Sequence, residues 1–227
     1  MRVLAIDTAL AACAAAVLDT EHGGIVASES LPMTRGHAEA LLPLVRRVMD
    51  EAGMGFTAID RIAVTTGPGS FTGLRVGLAA ARGIALAADK PAVGLSTLSV
   101  FAAPYLATDD SFPVIAAIDA RHANVYLQVF SPGGRQFSAP RLASLRDAAA
   151  AAAEASAYIV GSAAQAVADA LTDGDAVPVI VDARAAPDIT WLARMGAVVP
   201  EGQSPPAPQY LRAADAQPQY AAQLPRR

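Results

Sequence analysis

The segment 60–91, DRIAVTTGPGSFTGLRVGLAAARGIALAADKP, constrains the fold of this chain more than any other part of it. An apolar run at 62–65 predicts a buried strand, a turn rich in glycine follows, and the remainder has the composition of a helix. On that helix Gly73, Gly77 and Ala81 recur at every fourth position, so their small side chains share one face. We therefore expect a strand–turn–helix unit of an α/β fold, with another segment packed very close to this helix face.

The glycine-rich turn at 67–73 admits two interpretations. A helix that begins after such a turn can bind an anion at its N-terminus, where backbone N–H groups lack partners. However, no Lys-Ser or Lys-Thr pair follows the last glycine, as a Walker loop requires. Three residues separate Gly69 from Gly73, which excludes the G-x-G-x-x-G spacing. The pattern therefore favours a structural turn over a phosphate-binding loop.

A second helix is predicted at 37–53, where apolar residues form one stripe and Gly53 provides a stop. Pro43 lies within it and predicts a kink, or a helix that begins near that residue. Two adjacent apolar helices can cover one sheet together, or they can form a helical interface with a second chain. The pattern alone leaves both explanations open. The stripe consists of Ala38, Leu41, Leu42, Val45, Val48, Met49 and Ala52, with Leu44 at its edge.

The composition disfavours several classes of protein. With 17 basic and 21 acidic residues, the net charge of −4 gives no overall signal for binding nucleic acid. Cys13 is the only cysteine, which excludes an internal disulfide and a cysteine-based zinc site. The first residues lack the pattern of a secretory signal, and no apolar run reaches the ~18 residues of a membrane span. We therefore expect a cytoplasmic protein that does not contact membranes.

A short repeat indicates two similar halves. The segment Ala5-Ile6-Asp7 recurs as Ala117-Ile118-Asp119, and each copy is followed by a loop and a returning run predicted to be a strand. We predict an N-terminal domain at 1–103 and a C-terminal domain at 104–227, with a loose, proline-rich tail from about 203. The other predicted elements are strands at 3–6, 14–18, 25–27, 92–95, 126–129, 158–160 and 177–181, and helices from 96 and at 144–155, 163–171 and 189–195.

The two repeated aspartates suggest one enzymatic hypothesis. An aspartate at the end of a central strand can hold a Mg²⁺-bound phosphate, and a cleft between Asp7 and Asp119 would resemble that of actin-like ATPases and sugar kinases. The alternative is that both residues cap turns. An ATP-dependent phosphotransferase or ATPase is thus one candidate function. A peptidase is disfavoured, because the sequence has neither an H-E-x-x-H nor a G-x-S-x-G motif.

Several segments taken together resemble one family. VLAIDTALAACAAAVL, RGHAEALLPLV, AVTTGPGSFTGLRVGLAAARGIA, IDARHANVY and PQYLR closely resemble the TsaB (YeaZ) family, the dimerisation subunits of the bacterial machinery that makes tRNA threonylcarbamoyladenosine. The resemblance extends from about residue 2 to 212, and GPGSFTGLRVG is its most specific part. It implies an α/β, actin-like (ASKHA) fold of two ribonuclease-H-like lobes. The chain departs from typical members in its proline-rich tail and in its alanine-rich segment 148–155.

The resemblance also implies a set of partners. It implies a heterodimer with TsaD, the catalytic paralogue that transfers threonylcarbamoyl to the tRNA adenosine beside the anticodon. It further implies an ATPase partner, TsaE, a homodimer when TsaD is absent, and only an indirect relation to tRNA. In the family, two N-terminal helices build the dimer interface as a four-helix bundle. Carried over to this sequence, the interface residues are Leu41, Leu44, Val45, Val48, Gly73, Gly77, Ala80, Ala81 and Ile84.

The resemblance implies loss of the catalytic chemistry as well. The catalytic paralogue carries a metal-binding H-x-x-x-H on the helix after the strand that follows the glycine turn, and Thr97 and Phe101 align there. Phe101 has no donor atom and Thr97 is a weak ligand. We therefore expect a non-catalytic scaffold with no metal, no cofactor and no catalytic residue. Asp7 and Asp119 would then mark only a vestigial nucleotide cleft.

Overall fold

The computed structural model describes residues 1–109, 111–135, 137–202 and 205–212. Its first sheet has five strands in the order β3-β2-β1-β4-β5. The first three strands form an antiparallel meander, and β4 and β5 then continue the sheet in parallel with β1. The bounds are β1 Arg2–Asp7, β2 Ala12–Asp19, β3 Gly24–Pro32, β4 Arg61–Gly67 and β5 Ala92–Ser96.

Two helices lie side by side on one face of this sheet, as the stripe and the small-residue face predict. They are α1 His37–Glu51 and α2 Phe71–Ala88, joined to the sheet through one continuous apolar core. Helix α1 begins at His37 with Pro43 inside it, so the alternative of a helix starting only near Pro43 is wrong. A short 3-10 turn, Phe56–Ala58, precedes β4, and a third helix, α3 Thr97–Thr108, follows β5.

The second sheet also has five strands, in the order β10-β9-β6-β7-β8. Its strands are β6 Val114–Asp119, β7 Asn124–Phe130, β8 Arg141–Ser144, β9 Tyr158–Val160 and β10 Ile180–Asp182. The remaining helices are α4 Leu145–Ala153, α5 Ala164–Asp169 and α6 Ile189–Val198. Ser144 and Asp147 form a reciprocal capping box that fixes the start of α4. The short edge strand β8 was absent from the predicted elements.

The two sheets repeat one topology. In each, three consecutive strands form a meander, and two parallel strands continue on the side of the first strand. Strands β1 and β6 are equivalent in the two halves, and Asp7 and Asp119 are the last residues of those strands. The repeat predicted from the two aspartate segments is therefore confirmed. The chain has the predicted α/β, actin-like fold of two ribonuclease-H-like lobes.

The last helix does not follow the predicted domain boundary. The prediction assigned all of 104–227 to the second lobe, but α6 returns to the first sheet and covers the face opposite α1 and α2. Ile189, Leu192 and Ala193 pack there against strands β1, β2 and β4. A β-carbon at Gly196 would lie 2.4 Å from that of Ala63, so helix and sheet approach closely. The first lobe is thus completed by residues from the end of the chain.

The proline-rich segment was predicted to be loose from about residue 203, and for 205–212 this is wrong. These residues form an extended strap along the first lobe, here called the C-terminal strap. Pro206 is buried and accepts hydrogen bonds from Arg82, and the Gln209 N–H donates to the Thr66 carbonyl at 2.7 Å. These contacts hold the segment against the first lobe despite its proline-rich composition. The rest of the predicted tail, 213–227, lies outside the described residues.

Helix α2 is the one helix, among the residues described, that is long and apolar enough to cross a membrane by length and composition. A helix in the core of a protein passes the same test, so this observation alone is weak evidence for a membrane span. In this chain, Gly73, Gly77 and Ala81 face the first lobe's own core. Arg75 and Arg82 lie on the side that contacts the C-terminal strap.

Candidate functional site

The small-residue face of α2 is occupied by the loop after β1. A β-carbon added to Gly73 would lie 2.1 Å from the Thr8 carbonyl oxygen, and one added to Gly77 would lie 2.5 Å from the Thr8 hydroxyl oxygen. The same hydroxyl donates to the Gly73 carbonyl at 2.7 Å. The close approach predicted from the spacing of these residues exists, and the approaching segment belongs to this chain.

Most of the apolar stripe of α1 is buried as well, whereas Ala38 and Leu42 are exposed. Seven of the nine predicted interface residues are fully or almost fully covered in the isolated chain. Ala80 and Ile84 alone among the nine are partly exposed, and they pack against the edge of the same core. Coverage of the sheet, one of the two explanations left open by the sequence, therefore accounts for the buried part of the stripe. The buried residues are Leu41, Leu44, Val45, Val48, Gly73, Gly77 and Ala81.

A different set of residues forms the outer surface of the helix pair. Leu42 is 58% exposed on α1 and Leu86 is 85% exposed on α2, although both are large and apolar. Between them α2 exposes Ala79, Gly83 and Ala87, which recur at every fourth position and so lie in one line. A β-carbon at Gly83 would meet no atom within 4 Å. We call these five residues the outer face: it is apolar, it combines two large side chains with three positions of little bulk, and it is exposed among the described residues.

The outer face has a boundary on each side. On one side Val76, Ala80 and Ile84 join the core shared with α1. On the other side, the C-terminal strap runs along α2. Arg82 donates from Nε to the Pro206 carbonyl at 2.9 Å, and Arg75 donates to the Tyr210 hydroxyl at 3.2 Å. Because its neighbours fix α2 on both sides, the outer face is presented on a rigid support.

A cleft of about 590 Å³ lies between the lobes. Its walls come from the turn before α2, the end of β6, the loop before α5 and the C-terminal strap, including Ser70, Asp119, Arg121, Ser162, Tyr210 and Arg212. Asp119 is exposed and lines the cleft, and its Oδ1 accepts a hydrogen bond from the Arg121 N–H at 2.8 Å. Asp119, one of the two aspartates suggested for a vestigial nucleotide cleft, therefore lines the cleft between the lobes.

Asp7 does not line this cleft. It is 1% exposed, and its Oδ1 accepts hydrogen bonds from the Thr65 hydroxyl at 2.5 Å and from the Ala9 N–H at 3.0 Å. Its Oδ2 is buried without a partner in the described part of the chain. Burial raises the pKa of Asp7, and the hydrogen bonds from Thr65 and Ala9 oppose that rise only in part. Asp7 and Asp119 therefore do not face one open cleft, which is the arrangement that the phosphotransferase alternative requires.

The turn before α2 is held by contacts within the chain. Gly67 has φ +107°, which favours glycine, and a β-carbon at Gly69 would lie 2.3 Å from the Ala9 carbonyl oxygen. Ser70 caps the helix by accepting a hydrogen bond from the Gly73 N–H at 3.3 Å. Its glycines therefore serve the turn and its close packing against the loop after β1.

The residues aligned with the paralogue's metal ligands lie inside the protein. Thr97 and Phe101 are 0% and 3% exposed at the start of α3. In the described ranges, no group of three or more His, Cys, Asp and Glu side chains is placed to hold a metal ion. Sequence reasoning missed Arg75 and Arg82, whose role depends on a strap more than 120 positions away in the chain. Their recurrence at i and i+7 among apolar residues was the one available signal.

Comparison with known proteins gives concordant matches. Residues 12–170 match the model of the family described as TsaD: tRNA N6-adenosine threonylcarbamoyltransferase. The "tRNA threonylcarbamoyladenosine biosynthesis protein TsaB" of Escherichia coli (strain K12) is 40% identical over 126 residues, which are 56% of this chain and 53% of that protein. The "tRNA N6-adenosine threonylcarbamoyltransferase" of Pelobacter propionicus is 35% identical over 181 residues, covering 71% of this chain and 51% of that protein.

The structural match covers more of the chain. "YeaZ from Pseudomonas aeruginosa" superposes with a TM-score of 0.76 at 30% sequence identity, covering 92% of this chain and 99% of that chain. By contrast, the chain spans about half the length of the curated relatives it matches.

Proposed function

The chain belongs to the family of the TsaD model and, within it, to the TsaB (YeaZ) group, and from this premise we propose that it is a scaffold subunit in the synthesis of tRNA threonylcarbamoyladenosine. In this proposal the chain binds a TsaD-type threonylcarbamoyltransferase and supports its modification of the tRNA adenosine next to the anticodon. A TsaE-type ATPase is the further partner, and the chain pairs with itself when the TsaD-type chain is absent. A cytoplasmic location fits these roles.

The observation that carries the proposal is the outer face of α1 and α2. Leu42 and Leu86 expose large apolar side chains, and the line of Ala79, Gly83 and Ala87 between them leaves room for the backbone of a second helix. Burying such side chains contributes about 25 cal/mol for each Å² of apolar surface removed from water. A partner that presents a matching pair of helices would complete a four-helix bundle. The proposed interface thus lies on the same two helices as the interface predicted from the sequence, but it consists of their exposed residues and not of their buried ones.

The same chain offers less support for the phosphotransferase alternative. That reaction would need both central aspartates at a nucleotide-bound Mg²⁺, but Asp7 is enclosed by Thr65 and the loop after β1. An unpaired carboxylate oxygen in such a place disfavours the charged form that binds metal. A scaffold, whose task is to bind and position a partner, requires neither a metal nor an accessible aspartate. We therefore propose no catalytic residue in this chain.

The test introduces a charge at the centre of the outer face. Gly83→Glu should leave the isolated chain folded, since the new side chain points into open space and glycine is among the poorest helix formers. Binding to the TsaD-type chain, measured by titration calorimetry, should weaken on the order of tenfold or more, because the interface would bury an unpaired carboxylate.

Ala150→Glu is the matched control, since Ala150 is an exposed helical residue on α4 of the other lobe. It should bind like the unmodified chain. Equal affinity of the two variants for the TsaD-type chain would refute the outer face as the interface. Absence of any binding by the unmodified chain would refute the scaffold itself.

A further inference from the structure

The hairpin turn between β6 and β7 has an unusual backbone. Its residues Arg121, His122 and Ala123 have φ values of +64°, +54° and +56°, a region that side chains other than glycine's enter at a cost. The conformation is held by Asn124, whose side-chain amide donates to the His122 carbonyl at 3.0 Å, and by Asp119, which accepts from the Arg121 N–H. Three successive residues of this kind are a strained feature that persists only because its surroundings fix it.

This strained turn stands at the mouth of the inter-lobe cleft. Arg121 and His122 are exposed there, and Arg121 is one of the lining residues. A glycine at position 121 would relieve the backbone, yet the chain has an arginine there. A long cationic side chain on such a backbone points to a role of the side chain outside the fold.

Further arginines continue the same surface. Arg212 of the C-terminal strap donates to the Ala120 carbonyl at 3.2 Å, next to Arg121 in the sequence. Two positions earlier in the strap, Tyr210 is 43% exposed, stacks on Phe71 with ring centroids 5.0 Å apart and accepts a hydrogen bond from Arg75. Arg121, Arg212 and the exposed ring of Tyr210 thus line one opening, and Arg75 is hydrogen-bonded to that ring's hydroxyl.

The charge balance of the opening differs from that of the whole chain. The chain carries a net charge of −4, whereas the charged side chains that line the cleft among the described residues are Asp119, Arg121 and Arg212. Arg75 donates a hydrogen bond to the hydroxyl of Tyr210, another lining residue. Arginines beside an exposed aromatic ring fit single-stranded RNA, since the cations pair with phosphates and the ring stacks on an unpaired base. A negatively charged protein surface would use the arginines but not the ring.

We propose that this cationic and aromatic rim, formed by Arg75, Arg121, His122, Tyr210 and Arg212, contacts a single-stranded segment of RNA. The inference rests on the proposed function to the extent that a tRNA with an unpaired anticodon loop is then the natural source of that segment. It differs from the expectation of a merely indirect relation to tRNA. It places the RNA at the inter-lobe cleft, on a surface distinct from the outer face of α1 and α2.

The test measures binding of a fluorescently labelled RNA hairpin with an unpaired loop, by anisotropy, to the full chain and to its complex with the TsaD-type chain. Arg121→Gly and Arg121→Ala should each weaken binding on the order of 3–10-fold and reduce the slope of log affinity against log salt by about one. Arg121→Gly should be at least as stable as the unmodified chain, since glycine accepts the backbone angle. A loss of RNA affinity without loss of stability separates contact from a structural role.

Arg135→Ala is the matched control, because Arg135 is an exposed arginine in the turn at the opposite end of β7, about 20 Å away along the strand. Its affinity for the hairpin should lie within about twofold of that of the unmodified chain, because a single distant charge contributes little to RNA binding. Equal affinity of the Arg121 and Arg135 variants, or equal binding of a fully paired duplex, would overturn the inference. Binding to the TsaD-type chain is measured separately. If the unmodified chain binds the TsaD-type chain but not the RNA hairpin, only the RNA inference is refuted. If it binds the RNA hairpin but not the TsaD-type chain, only the proposed function is refuted.

Discussion

Replacing Gly77 with alanine tests whether the small-residue face of α2 serves the fold. The added methyl group would lie 2.5 Å from the Thr8 hydroxyl oxygen, which cannot move away without breaking its hydrogen bond to the Gly73 carbonyl. Overpacking of this kind costs about 1–3 kcal/mol, and the better helix propensity of alanine returns about 1 kcal/mol. We expect a net loss of about 1 kcal/mol, or a fall in Tm of about 2–4 °C for a chain of this size.

A Thr8→Ala background reverses the sign of that effect. Without the hydroxyl oxygen, the nearest remaining side-chain atom to the new methyl group is the Val64 Cγ2 at 3.7 Å, an ordinary contact. Gly77→Ala should then stabilise the chain by about 1 kcal/mol through helix propensity. The two backgrounds therefore differ by about 2 kcal/mol, which is well above the ~0.5 kcal/mol within which independent substitutions add.

Urea denaturation of the four chains measures this coupling. Gly83→Ala is the control on the same helix, because its methyl group would meet nothing within 4 Å. It should raise stability by about 1 kcal/mol in both backgrounds, with no coupling to Thr8. Additive effects of Gly77→Ala and Thr8→Ala would refute the argument that this face is packed by the chain's own loop, and would return it to the list of partner contacts.

Two further predictions concern buried polar groups of the first lobe. Arg61 is 7% exposed and donates to the carbonyls of Gly196 and Val199, at 2.9 and 2.8 Å, and to the Glu201 carboxylate. Arg61→Met should therefore lower the free energy of unfolding by about 3 kcal/mol, since charged hydrogen bonds contribute about 1.5–3 kcal/mol each, whereas Glu201→Gln should change it by less than about 1 kcal/mol. Equal losses of stability for the two variants in urea titrations would contradict this assignment. Asp7 has a raised pKa in the folded chain, so it keeps its proton there at pH values where the unfolded chain has lost it, and the free energy of unfolding falls as pH rises above the ordinary pKa of 3.8. Asp7→Asn should remove that fall while keeping the affinity for the TsaD-type chain. An unchanged pH dependence of the free energy of unfolding would show that another group causes the fall.

The sequence predicted the parts of the fold that depend on local pattern. Apolar runs located the central strands β1 and β4, because strands buried on both faces are nearly continuous in hydrophobic residues. The recurring aspartate segments located the repeat, since both end the equivalent central strand. Strand β8 escaped prediction because it is a four-residue edge strand, with Arg141 and Leu142 both exposed, which gives no periodic signal.

Features that depend on distant contacts could not be predicted in the same way. The spacing of Gly73, Gly77 and Ala81 shows that a segment approaches α2, but it carries no information on which segment does so. The apolar stripe of α6 likewise does not say which of two sheets it covers. The C-terminal strap has the composition of a loose segment, and its position depends on Arg82 and the Thr66 carbonyl, far away in the sequence. Of the nine predicted interface residues, seven are buried within the chain itself, which the helical pattern alone could not reveal.

The return of α6 to the first sheet has a consequence for synthesis on the ribosome. The first sheet is complete once β5 has emerged, but the layer that covers its second face lies roughly 100 residues later in the chain, which takes about 5–20 s to translate. During that interval Val3, Ala5 and Ala63, all fully buried in the finished protein, have no partner layer. The last strand of the second lobe, β10, ends at Asp182, shortly before α6 begins at Ile189, so the two lobes are completed at nearly the same point of synthesis. Helix α6, the last helix among the described residues, thus closes the first core only after nearly the whole second lobe has been made.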